Sequence, residues 1–262
     1  MGKNIGPQKQ AFDKAAKADK WNKCFTLVGG FFSLSVILID SFSCLSTTVL
    51  NIVLKYIAIA LFIAIAISQI IYSCFKFDAE TKRRDGLIDN AYGTKFASSA
   101  SKNYYDTDRI LLGPIKQLAT IHENCLYTNR IAKSMRALSF IKSGAMLIIL
   151  LIMLRFGQDS LFEILLQLFV SSLFVLESLD LFFLTQRTTQ LEKAILTTWS
   201  THMEDRKSNN FLAEVERHTL QYECTIIDAN LILSNRIYKK KNECLKQEWD
   251  ECIRRYHLES IR

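Results

Sequence analysis

Four apolar blocks, in two adjacent pairs, are set among three charged ones along the chain. The apolar blocks are CFTLVGGFFSLSVILI (24–39), YIAIALFIAIAISQIIYSCF (56–75), LSFIKSGAMLIILLIML (138–154) and the run from Ser160 to Leu184. A helix that crosses a bilayer needs about 20 predominantly apolar residues. The second and fourth blocks reach that length outright. The first and third reach it when lysines such as Lys55 and Lys142 extend their stems to the interface. The pattern therefore predicts an all-α integral membrane protein with four transmembrane helices in two hairpins. A cytoplasmic helical insert separates the hairpins, and a helical C-terminal region follows them.

The connections set the orientation. Between the first two blocks SFSCLSTTV (41–49) carries no charge, and between the last two RFGQD (155–159) carries one Arg and one Asp. Residues 76–137 hold eleven Lys and Arg, and residues 185–262 hold thirteen. Positive charge collects on the cytoplasmic side, so both termini and the central segment are expected in the cytoplasm of a multi-pass bacterial inner-membrane protein. The expected domains are a cytoplasmic amphipathic helix (1–23), hairpin 1 (24–75), the insert (76–137), hairpin 2 (138–184) and C-terminal helices (185–262).

Within the polar blocks the periodicity is helical again. Residues 1–23 carry six lysines against two aspartates, with Phe12, Ala15, Ala16 and Trp21 near helical spacing. This suits a helix lying at the headgroups with Trp21 as anchor, or a solvated charged helix. The second block continues as a helix through Ala79 and Lys82. SSASKNYYDTD reads as a loop, and Pro114 restarts a helix that feeds the third block. After the fourth block the helix is expected to run on to KSNN (207–210). One or two further helices follow, with Leu212, Val215, Thr219, Tyr222 and Ile226 on one face.

Composition narrows the class. Nine glycines and two prolines in 262 residues leave too few turn residues for a β-rich chain. Seven cysteines, an odd number with no CxxC or Cys/His pairing, suit neither a disulfide framework nor a zinc site. The net charge of +7 follows from the asymmetry between the blocks, so direct DNA binding is not expected. No phosphate-cradling, metalloprotease or nucleophile-elbow motif occurs. His122, His202, His218 and His257 lie far apart in polar segments where exposed histidine is usual. The chain is read as a non-enzyme without catalytic, cofactor-binding or metal-binding residues.

The fourth block poses the sharper question, because LFVSSLFVLESLDLFFL (168–184) contains Glu177 and Asp180. At 100° per residue Glu163, Gln167, Ser171 and Glu177 fall within about 120° of one another. Charged groups inside a membrane face a partner helix or water, so these four are the candidate pore-lining residues. Asp180, at the edge of the arc, reads as interfacial. A structural alternative stands beside this: Glu177 could pair with Lys142. Gly29, Gly30 and Gly144-Ala145 are small residues suited to close helix contact. In the polar segments Tyr104, Tyr105, Arg109, Arg217, Arg236 and Tyr238 are residue types that stack on bases or grip phosphates. The run YKKKNE (238–243) fits either anionic headgroups or a solvated face.

Two hairpins, an insert of about sixty residues and a helical tail resemble the SMODS-associated four-transmembrane effectors of bacterial anti-phage systems. IHENCLYTNRIAKSM before the third block is similar to that family's Gln/Asn-containing helix. Arg217, Gln221, Tyr238 and Glu248 fall roughly where the family has Arg, Gln, Tyr and an acidic residue, and Asp228 stands where it has an arginine. The first half also resembles related two-transmembrane defence effectors, with Trp21 just before the first span. The resemblance implies a pore-forming effector that oligomerises in membrane lipid on sensing a cyclic oligonucleotide or a cytoplasmic defence protein. The competing expectation is a membrane anchor or scaffold that recruits a soluble partner and has no conduit.

Overall fold

The structure, a computed structural model, describes residues 8–41, 48–97, 107, 109–156 and 161–259; among these the regular structure is helical, joined by turns, with no strand. Six helices follow one another: α1 (Lys9–Ser41), α2 (Thr48–Tyr92), α3 (Pro114–Phe156), α4 (Leu161–Thr201), α5 (Asn209–Asp228) and α6 (Asn235–Arg255). At 1.5 Å per residue, the 45 residues of α2 reach roughly 68 Å, about twice the span of a hydrocarbon core.

The helix ends have local causes. Gly93, at φ 69°, takes the left-handed conformation that ends α2, and its N–H bonds the Asp89 carbonyl at 2.8 Å. Pro114 opens α3, where its missing N–H would have had no helical partner. Ser208 caps α5 by accepting from the Phe211 N–H, and Ser234 caps α6 by accepting from the Ile237 N–H.

The chain divides into two compact units. The polar unit comprises the chain up to Ala11, Asp78–Ala137 and Leu179–Arg262, and the apolar unit comprises Phe12–Phe77 and Leu138–Ser178. The divisions therefore fall at 11/12, 77/78, 137/138 and 178/179, against sequence-derived boundaries at 23/24, 75/76, 137/138 and 184/185.

In the polar unit a core of buried side chains gathers Leu118, Ile121, Leu191, Ile195, Trp199, Phe211 and Trp249 from α3 to α6. In the apolar unit the large side chains point outward instead: Tyr56 is 70% exposed, Ile70 64%, Ile141 69% and Leu151 65%. Among the described residues, two helices are long and apolar enough to cross a membrane, within Ile52–Tyr92 and Pro114–Ile152. Only 22% and 17% of their most apolar stretches are buried, the reverse of a soluble core helix. Much of the apolar part of α1 and the first turns of α4 have side chains outside the described residues.

Several expectations are corrected. The amphipathic segment at 1–23 is not a separate element, since from Lys9 it is the first part of α1. The helix after the fourth block stops at Thr201 rather than at KSNN, with the cap at Ser208 starting the next. Phe211, rather than Leu212, leads the inner face of α5, because Leu212 is 36% exposed while Phe211 is fully buried. Gly29 does make a close approach, since a Cβ there would lie 3.1 Å from Ile65 Cδ1, whereas a Cβ on Gly144 would meet nothing within 4 Å.

Candidate functional site

A polar seam runs through the apolar unit. From α1, Lys23 Nζ lies 3.0 Å from Asp19 Oδ2 and 3.1 Å from Glu177 Oε1 of α4. Immediately before Lys23 on the same helix, Asn22 donates to Gln69 Oε1 at 2.5 Å and accepts from Ser68 Oγ at 2.8 Å. Between α3 and α4 three serines cluster, with Ser178 Oγ 2.8 Å from Ser139 Oγ and 2.6 Å from Ser143 Oγ. Ser143 Oγ also donates to the Phe174 carbonyl at 2.7 Å. These groups satisfy one another, as polar side chains between apolar helices must.

Glu177 pairs with Lys23 rather than with Lys142, which is exposed. Of the other expected lining residues, Ser171 is buried, and its hydroxyl has no hydrogen-bond partner among the described residues. The side chains of Glu163 and Gln167 lie outside the described residues. Asp180 belongs to the polar unit, where it lines an open cleft of about 270 Å³ with Phe183, Leu184, Arg187, Thr225, Asp228 and Ala229. Arg187 forms an ion pair with Asp228 beside this cleft.

The polar unit carries a buried hydrogen-bond network of its own. Arg83 of α2 makes a bidentate pair with Glu223 of α5 at 2.9 and 2.6 Å, bonds Glu80 at 2.7 Å, and packs 5.6 Å from the Tyr222 ring centroid. Arg130 of α3 joins Glu192 of α4, at 3.0 and 2.9 Å, to Glu248 of α6. Asn129 adds a bond to Glu192 at 2.8 Å. Gln117 donates to Thr219 Oγ1 at 3.0 Å and accepts from the Tyr92 hydroxyl at 2.5 Å. Burial pushes the Tyr222 phenol well above its ordinary value, so it stays a neutral face for the Arg83 guanidinium.

Two of the four histidines correct the expectation of exposure, since His122 and His218 are fully buried, while His202 is half-buried and His257 is exposed. Trp199 donates its indole N–H to His122 Nδ1 at 3.3 Å, which fixes the neutral tautomer with the proton on Nε2. Burial pushes His122 down to about 4. His218 Nε2 lies 2.8 Å from Thr198 Oγ1, and burial lowers its affinity for a proton as well.

Among the described residues, those proposed for ligand recognition are not gathered at one place. Tyr104 and Tyr105 lie outside the described residues. Arg109 pairs with Glu259, beyond the C-terminal end of α6, at 3.1 Å. Arg236 and Tyr238 occupy the first turn of α6, whose 21 residues put roughly 30 Å between its ends. Tyr238 packs against Tyr127, with ring centroids 6.4 Å apart. Arg217 and Gln221 are exposed on α5, and Glu248 is engaged by Arg130. Sequence reasoning missed Lys23, Arg83, Arg130 and the serine cluster. For the serines a signal was present: Ser139, Ser143 and Ser178 are isolated small polar residues within apolar runs. No protein family, curated protein or solved structure matches the chain.

Proposed function

We propose that the chain is a multi-pass membrane effector: the apolar unit sits in the bilayer, as four spans in two hairpins, and the polar unit responds to a cytoplasmic signal. The observation that carries this reading is the pairing of an outward apolar surface with an inward polar seam on the same short bundle. Ile70, Ile141 and Leu151 cover the outside, the three serines are buried between α3 and α4, and the half-buried Lys23–Glu177 pair joins α1 to α4. That is the distribution a lipid environment requires.

The effector role proper, permeabilisation of a bacterial inner membrane by an oligomer, rests on two supports. Helices α2, α3 and α4 each contribute residues to both units without a break, so a rearrangement in the polar unit has rigid elements on which to act. The seam holds an ion pair and hydroxyls that could exchange partners or face water in an oligomer. Four helices enclose too little lumen alone, so several copies are required. The activator is a cyclic oligonucleotide or a cytoplasmic defence protein.

The anchor reading has an observation of its own in its favour, because the seam's polar groups are mutually satisfied within one chain. Potassium efflux from proteoliposomes separates the two. An effector leaks when challenged with one of a panel of cyclic di- and trinucleotides or with host-cell lysate protein, and Glu177→Gln alters that leak. Absence of leakage under every challenge would leave the anchor.

A further inference from the structure

Within the apolar unit the helices are fastened in two pairs. In the first, Asn22 of α1 bonds Gln69 and Ser68 of α2, and further along Gly29 lets α1 approach so closely that a Cβ would stand 3.1 Å from Ile65 Cδ1. In the second, Ser178 of α4 meets Ser139 and Ser143 of α3, and Ser143 also donates to the Phe174 carbonyl. These contacts are short and uncharged. Opened within lipid, their polar groups would lose partners that the hydrocarbon cannot replace, so each pair is expected to hold together.

An ion pair crosses from one helix pair to the other, and it is of a different kind. Lys23 of α1 reaches Glu177 of α4 at 3.1 Å, with the two side chains 42% and 27% exposed. The same ammonium lies 3.0 Å from Asp19, one turn back on α1. Lys23 can therefore let go of Glu177 without standing unpaired. What its release leaves on α4 is a carboxylate without its cation, and such a group in an apolar bundle turns toward water. The contact is cheap to break, because a partly open ion pair is weak, and once broken it favours a wetter arrangement.

We infer that the Lys23–Glu177 pair is a latch between the two helix pairs. Closed, it holds α1 against α4. Released, with Lys23 kept by Asp19, it frees Glu177 to line the water-filled conduit of the open oligomer. Each helix pair moves as a body, since its own ties persist, and the latch is the contact that lets one body part from the other. The inference rests on the effector reading and names the contact on which a signal acts.

The test is potassium efflux from proteoliposomes of the full chain with no challenge added. Glu177→Gln should raise the resting efflux over wild type by up to about fivefold, the bias that a partly open ion pair supplies. Lys23→Met should leak at least as much, because it sets Asp19 against Glu177. The exchanged pair K23E/E177K keeps one cation between two acids and should return to the wild-type rate. High salt on both sides, which screens an open pair, should raise the wild-type rate and leave Glu177→Gln unchanged. A resting efflux of Glu177→Gln equal to that of wild type overturns the latch. So does an exchanged pair that leaks as Glu177→Gln does, because the residue at 177 and not the pairing would then set the rate. A panel of cyclic di- and trinucleotides separates the latch from the reading beneath it. If wild type leaks under one of them while Glu177→Gln matches it at rest, the latch alone falls. If no protein leaks at rest or under challenge, the effector reading falls and the latch with it.

Discussion

Lys23 of α1 stands between two acids, Asp19 one turn back on its own helix and Glu177 on α4, at 3.0 and 3.1 Å. One cation thus serves two carboxylates, and the arrangement is asymmetric. Removing Glu177 leaves Lys23 with Asp19, whereas removing Lys23 leaves two acids facing each other.

That asymmetry predicts unequal variants. Glu177→Gln should cost less than about 1 kcal/mol, because the pair is partly exposed and Lys23 keeps a partner. Lys23→Met should lower the unfolding temperature in detergent by more, and Lys23→Met with Glu177→Gln together should recover part of the loss. Equal effects of the two single substitutions would contradict the shared-cation geometry.

Arg83 ties α2 to α5 through a bidentate contact with Glu223, with Glu80 on its other side. Its removal strands two nearly buried carboxylates, so Arg83→Met should destabilise the polar unit by about 3–5 kcal/mol. Arg83→Lys should recover only part of this, since an ammonium group cannot form the two parallel bonds. Unfolding monitored by tryptophan fluorescence checks both, because Trp199 and Trp249 lie in the same unit.

The buried histidines set a pH dependence. In the unfolded chain His122 titrates near 6.5, while in the fold it does so only at about 4. Between those values the unfolded chain holds a proton that the folded chain does not, so stability falls as pH drops from about 6.5 to about 4. The full loss is roughly 3 kcal/mol for His122, and His218 acts in the same direction. His122→Gln should flatten the slope of unfolding temperature against pH without abolishing it; an unchanged slope would count against the buried neutral imidazole.

Gly29 approaches Ile65, and the far end of a flexible side chain is what a new methyl would meet. Gly29→Ala should therefore be tolerated within about 1 kcal/mol, and Gly29→Leu should separate α1 from α2 and lose well over that. Gly144, with open space around its Cα, should accept alanine with little change. Thermal dispersion in detergent distinguishes the two positions.

The helical elements were legible because their signals are local. Apolar periodicity and Pro114 before α3 each act over a few residues, whereas the break that Ser234 caps is left open by the sequence, between one tail helix and two. The pairing of polar groups was not legible. Arg130 meets Glu192 and Glu248, sixty-two and one hundred and eighteen positions away, and nothing in the sequence separates those acids from their exposed neighbours. Lys23 was hidden for a related reason: it closes the charged segment before the first apolar block, and only the packing of α1 beside α4 brings it to Glu177. The same limit explains the histidines, whose polar surroundings in sequence gave no hint that Trp199, Trp249 and Phe211 would enclose them.

The location of the apolar unit underlies the whole account, and flotation of cell membranes on a density gradient after an alkaline carbonate wash tests it most directly. The protein should float with the lipid and come free only with detergent. Recovery in the carbonate supernatant, with the lipid fraction empty of it, would contradict a bilayer-spanning bundle.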